Sequence, residues 1–364
     1  MVSITCLKIN HFLYFDFQLV NMKVEDIVLL ARMGVIDRAI EEIHKLKDPL
    51  ERVIALSRVG ETIKDENLLE DALYIVKRSI KDVGDKVFGY SEIGVAYSRL
   101  GNRESALECF KNALKLLGRL EDYEAGIVGM SLGAKLALAG FYEISLDVFD
   151  FVFDSIIELE IDVLEKTDLI MKLGEVLEDV GDTLPSMEAL KFYERAYYIF
   201  ENLRMGERAR TIEKKMEVAR TLRISGFPEV RKLALEGQFR DVLNILERLT
   251  GGKRIIGILE LSLWAKKIES HERFKLSDVA LEELKTVDIS DEEKVEVVKL
   301  LSRLELFESA FDIAREISNG KARDEALYNL AKELINAGER EFASKVISLI
   351  ESQDLKEVLA REMR

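Results

Sequence analysis

An active site in this chain would have to be built from three histidines, two cysteines and one glycine-lysine turn. His11, His44 and His271 stand far apart, without the H-E-x-x-H spacing that sets two imidazoles one helical turn apart on a zinc ion. Cys6 and Cys109 are separated too widely to frame a metal site or a disulfide scaffold. Thr250 to Arg254, TGGKR, has the glycines and lysine of a phosphate loop, but not the earlier glycine, the Ser or Thr after the lysine, or the strand before it. It reads as a glycine-rich turn. The sequence therefore predicts no catalytic residue, no metal site, no cofactor and no enzyme.

The carboxylates are numerous but unfocused. Glu41 with Glu42, Glu282 with Glu283 and Asp291 to Glu293 read as solvated faces of charged helices. One locally basic stretch, Leu203 to Arg223, scatters its basic residues around a helix and intersperses Glu207, Glu213 and Glu217, the pattern of a salt-bridged surface. With 68 acids against 53 bases the net charge is -15, which excludes broad affinity for nucleic acid or for an anionic membrane. Sparse cysteine points to a reducing cytoplasm. Abundant charge with only Gln18, Gln238 and Gln353 as glutamines is the balance of a thermophile.

The elements that would position any site follow from a period. In YSEIGVAYSRLGNRESALECFKNALKLL, Tyr90 to Leu117, Gly94 sits in an apolar run and Gly101 ends it, and Ala106, Phe110 and Ala113 recur at helical spacing. Gly60 precedes Gly94, and Ala72 precedes Ala106, by the same interval of 34 residues; Gly133 with Gly140 and Gly174 with Gly181 repeat the spacing of Gly94 and Gly101. Near the end Ala310 and Ala343 stand 33 apart. Two amphipathic helices per 33 to 34 residues spell a helical solenoid. A small residue midway along the first helix admits the second helix closely, and Phe110, Phe149 or Tyr193 fills the space between pairs. Glycine after the first helix, at Gly101, Gly140, Gly181 and Gly338, suits a left-handed terminating residue.

At these residues the chain resembles the tetratricopeptide repeat family, most closely over Val53 to Leu117, with IGVAYSRLGNRESALECFKNAL following the pattern almost throughout. The proline that often closes such a unit is missing, and several units are longer than standard. The resemblance implies an all-α fold, a right-handed α-α superhelix of about nine helix-turn-helix repeats. Residues 23–225 are expected to form an N-terminal array with a capping helix and 226–364 a C-terminal array, divided at RISGFPEV, Arg223 to Val230. Residues 1–22 read as an extension: Ile9 to Met22 is too short to span a bilayer and lacks the basic start of a secretory signal, and the native chain is expected to begin at Met22.

In such a superhelix the first helices line a concave wall, and their faces not used for stacking receive partners. The expected faces are Ser57, Glu61 and Lys64; Phe88, Ser91, Val95 and Ser98; Ile127, Met130, Ala134 and Ala137; and Asp168, Met171, Glu175 and Glu178. Family members that clamp the carboxylate end of a chaperone tail use Lys and Asn on this wall, whereas Ser57 with Glu61 and Ser91 with Val95 stand here, so that ligand is not expected. Gly126 to Gly140, GIVGMSLGAKLALAG, has only Ser131 and Lys135 as polar breaks and requires cover all round, from a partner, a second copy or the chain itself. The resemblance implies a protein-interaction scaffold that binds a peptide or helix in its groove, with self-association possible. The alternative is a regulatory sensor whose curvature responds to a small ligand or peptide.

Overall fold

The computed structural model describes residues 22–363 and is all-helical, with twenty helices among them. The expected extension, apart from Met22, lies outside the described residues. In chain order the helices are α1 (Met22–Arg32), α2 (Ile36–Lys45), α3 (Pro49–Ile63), α4 (Glu66–Arg78), α5 (Val83–Arg99), α6 (Arg103–Leu117), α7 (Asp122–Leu138), α8 (Tyr142–Glu158), α9 (Val163–Thr183), α10 (Ser186–Asn202), α11 (Gly206–Thr221), α12 (Pro228–Leu235), α13 (Phe239–Leu246), α14 (Gly252–Lys267), α15 (Glu272–Leu284), α16 (Asp291–Arg303), α17 (Phe307–Arg315), α18 (Gly320–Asn336), α19 (Arg340–Leu349) and α20 (Gln353–Glu362). None of them is long and apolar enough to cross a membrane.

The chain divides into two compact units. One holds the residues up to Leu184 together with Phe192–Ala209, the other Pro185–Lys191 together with Arg210–Arg364. The division thus falls ahead of RISGFPEV, and α11 begins in the first unit and runs mostly in the second.

Local chemistry starts and stops the helices of the first unit. Asp48, Asp65, Asp82 and Asp162 accept hydrogen bonds from the first free N–H groups of α3, α4, α5 and α9, and Pro49 opens α3 where no N–H is needed. Gly101, at a φ of 86°, ends α5. Gly181 departs from the expectation. It lies inside α9, because that helix runs on to Thr183, and its missing side chain admits the ring of Tyr193 instead.

Packing in this unit alternates. Each of α1, α3, α5 and α7 pairs with the helix after it, and α1, α3, α5, α7 and α9 pack on one another in that order. The approach is close where the sequence placed glycine: a Cβ on Gly94 would stand 2.9 Å from the Phe110 ring, and one on Gly133 2.9 Å from that of Phe149. Phe110, Phe149, Phe192 and Phe200 are fully buried, and Phe110 meets Phe141 edge to face at 5.4 Å. Tyr198 of α10 faces solvent.

In the second unit α14, α16 and α18 pack in order, each with its following helix, and α20 packs on α18. Aspartates near the starts of two first helices tie down the following loops: Asp291 accepts the N–H groups of Ser318 and Asn319, and Asp324 those of Glu351 and Ser352. The two aspartates stand 33 positions apart, so the hydrogen bonds repeat with the sequence. Trp264 is buried and donates its indole N–H to the carbonyl of Ala234 at 2.9 Å.

Candidate docking wall

The first helices of the first unit form a row, and the expected binding residues sit on it at a different angle from the one anticipated. Ser57 and Ser91 are buried, and their hydroxyls are spent on the carbonyls of Val53 and Phe88 in their own helices. Phe88, Val95, Ile127, Met130 and Ala137 are buried, while Ala134 and Met171 are half-buried. Ser98 donates to the Ala139 carbonyl at the end of α7. Gly84, Val87, Phe88 and Ser91 of α5 face Ile127, Val128, Ser131 and Leu132 of α7 across a cleft of about 10 Å³, room for one water. Phe88, Ser91 and Ile127 therefore lie in the seam between two successive first helices. Lys64 is the exposed, left-handed residue that ends α3, and Asp168 is exposed on α9.

One residue further along each helix, a rotation of about 100°, comes a set the sequence reading passed over. Glu25 of α1 pairs with Arg58 of α3 at 2.5 Å; Arg58 reaches Glu92 of α5 at 3.9 Å; and Lys135 of α7 donates to Glu92 at 2.5 Å. The ammonium of Lys135 also lies 4.1 Å from the centre of the Phe88 ring. A chain of alternating charge thus crosses four consecutive first helices. Beside it Arg99 pairs with Glu61 at 3.0 Å. Further on, Arg208 pairs with Glu178 at 3.0 Å and reaches Glu175 at 3.8 Å, and Lys172 reaches Glu175 at 3.6 Å.

Glu92 is the centre of this arrangement, only 8% exposed. Burial pushes its carboxyl up, but Lys135 and Arg58, with the Lys135 hydrogen bond, outweigh burial and hold it below the ordinary value of 4.5. The signal in the sequence was faint: Lys135 was visible as one of two polar breaks in an apolar helix, but its partner lies 43 residues away, and the period links Glu92 to Ser131 rather than to Lys135.

Other groups with chemical potential are committed to structure. Gly129-Met130-Ser131-Leu132-Gly133 has the lettering of a nucleophile elbow, yet it lies within α7 rather than at a strand-to-helix turn, and the two glycines make room for Val152 and Phe149. Cys109 is buried, and its thiol is pushed up to about 12 by desolvation and by Glu108. At TGGKR the carboxylate of Glu293 packs against Gly252 at the start of α14, and Arg254 pairs with Glu283 at 3.0 Å, so acids already occupy that helix end. No group of three or more His, Cys, Asp or Glu suited to a metal ion occurs among the described residues.

The geometry defines an all-α protein of paired helices whose first helices carry an ion-paired face. Neither a family model nor a curated protein sequence matches the chain. It is similar to Ton1535 from Thermococcus onnurineus NA1, whose crystal structure it matches with a TM-score of 0.78 at 32% identity, over 94% of this chain and 98% of that one. Likeness of that extent places the chain in one family with Ton1535.

Proposed function

We propose that the chain is a tetratricopeptide-like repeat protein, a right-handed superhelix of about nine hairpins, that acts as a cytoplasmic protein-interaction scaffold. A peptide or helix of a partner lies along the row of first helices. The observation that carries this reading is the ordered packing of α3, α5, α7 and α9, each on the next. On that row Arg99 and Leu138 are exposed, and Ala134, Met171 and Glu175 are half-buried. The deeper apolar residues serve the seams, so the partner reads a charged rim with apolar points rather than a greasy groove. Affinity capture from native lysate, comparing the wild-type chain with the double variant Arg99→Glu, Leu138→Asp, tests it. Both side chains are exposed, and circular dichroism checks that the fold survives loss of the Arg99–Glu61 pair; partners captured by the wild type alone support the reading, and identical recovery by both proteins ends it.

A second reading is favoured by the ladder from Glu25 to Lys135. A ligand that competes for Glu92 would loosen α5 from α7, and the protein would then act as a sensor whose curvature follows ligand binding. A rise in melting temperature with a small ligand and no protein partner distinguishes it.

A further inference from the structure

The solvent face of α8 carries a feature that the proposed groove does not use. YEISLDVFDFVFDSIIE contains five carboxylates and no basic residue. At about 100° per residue Glu143, Asp147, Asp150, Asp154 and Glu158 fall within about 80° of one another, and all five are exposed. Phe151 and Ile157, both exposed, flank the stripe on either side. The hydrogen bond from Lys166 to the Ile157 carbonyl, 2.7 Å, brings the first turn of α9 beside the end of α8. That turn presents Val163 and Leu164, 76% and 75% exposed.

The stripe is costly for the helix that bears it. Like charges at i and i+3 or i+4 oppose one another along its whole length, and Asp154 and Glu158 stand at the helix end where the macrodipole disfavours anions. Arg195 of α10 pairs with Asp150, but Asp147, Asp154 and Glu158 form no salt bridge among the described residues. Helices α4 and α6, placed in their hairpins as α8 is in its own, carry basic residues in their last turns. Acids that destabilise their own helix, bordered by four exposed apolar side chains, fit a ligand with the opposite pattern.

We propose that this face of α8, with the start of α9, is a docking surface for a basic amphipathic helix of a partner protein. Lysines or arginines of that helix would pair with the carboxylate stripe, while its apolar side chains cover Phe151, Ile157, Val163 and Leu164. The surface shares the helix α9 with the row of first helices but none of the side chains assigned to the groove, so the proposal stands or falls independently of the groove.

Fluorescence anisotropy with a labelled amphipathic Leu/Lys peptide tests it on the full chain. The wild type is expected to bind, and D147K/D154K and V163S/L164S are each expected to bind at least about tenfold more weakly. E70K/D71K, the same change of charge on exposed residues of α4, is expected to alter binding by no more than about twofold. Equal loss in the α4 variant shows that the peptide senses overall charge, and unchanged binding by V163S/L164S shows that the apolar border is unused; either overturns the proposal. Light scattering supplies the other decisive outcome: a dimer of the wild type that dissociates in D147K/D154K assigns the stripe to a second copy of this chain and overturns the proposal too. Circular dichroism checks that each variant keeps its helicity.

Discussion

Glu92 in the first unit and Glu260 in the second are both buried carboxylates on helices that are apolar nearly all round, and they are held in opposite ways. Glu92 on α5 is compensated by charge, through Lys135 and Arg58 from the helices on either side. Glu260 on α14, 2% exposed, accepts the backbone N–H groups of Arg223, Ile224 and Ser225, each at 3.0 Å, and the Ser225 hydroxyl at 2.7 Å. Taking a carboxylate out of water costs several kcal/mol. Counter-ions more than offset that for Glu92. For Glu260 burial prevails over the hydrogen bonds, and its carboxyl is held above 4.5. The contrast shows two ways of closing an all-apolar helix: side chains that bridge helix to helix, or a folded segment laid across it and pinned by one acceptor.

The sharpest way to break the comparison is to remove the acceptor. Glu260→Ala strands the N–H and hydroxyl of Ser225 in a buried site and the N–H groups of Arg223 and Ile224 in a partly buried one, and about 3–5 kcal/mol of stability should be lost. Trp264 is the single tryptophan and belongs to the same helix, so its fluorescence during urea unfolding reports on this unit. An unchanged midpoint would show that the pinned segment contributes nothing. Glu260→Gln keeps one acceptor oxygen and should cost less, about 1–2 kcal/mol.

Breaking the ladder should have a smaller effect, because Lys135 and Arg58 retain some access to water. Glu92→Ala should cost about 2–3 kcal/mol, and the cycle of Glu92→Gln with Lys135→Met should give a coupling of about 1–2 kcal/mol. Additive losses would mean that the pair is only a neighbourly contact. Lys135→Met alone leaves Arg58 facing Glu92 and keeps most of the packing on Phe88.

Acidity separates the two carboxylates by sign. The folded value of Glu92 is lowered, so its contribution is present above 4.5 and is lost as pH falls through the lowered value. The folded value of Glu260 is raised, so its contribution is complete below 4.5 and is lost as pH rises through the raised value. In melting curves across the acid range, Glu92→Gln should therefore flatten the fall in stability on acidification. Glu260→Gln should steepen that fall, because it removes an opposing slope. Parallel curves for the two variants would erase the distinction drawn between the units.

The hairpin pattern was legible in the sequence because it rests on local rules. Gly94 and Gly133 follow from helical spacing and Gly101 from the geometry of a helix end, whereas Phe110 and Phe149, expected between successive pairs, stand against Gly94 and Gly133 within their own pairs. The face of the first helices was not legible to within one residue. Periodicity reports which residues share a face, but where the next hairpin lands decides which face becomes the seam, and that is why Ser57, Ser91 and Met130 are buried while Arg58 and Glu92 carry the ladder. Glu260 escaped for a related reason: three of its four partners are backbone N–H groups, which have no letter in the sequence. Tyr193 displaced the expected helix end at Gly181 because a ring in the partner helix needed that space.

The last test concerns what the two units share. Gly101 ends α5 in the first unit at a φ of 86°, and Gly338 follows α18 in the second at 83°, each with open space where a Cβ would stand. Alanine therefore meets no neighbour at either site, and its cost is that of the left-handed backbone alone, about 1 kcal/mol. Gly101→Ala and Gly338→Ala should each lower stability by that amount in urea unfolding, whatever happens to Glu92 or Glu260. Agreement between them would place the difference between the units in how their buried acids are neutralised. A discrepancy larger than about 1 kcal/mol would mean that the two helix ends bear different loads, and the common hairpin rule would then fail at its simplest point.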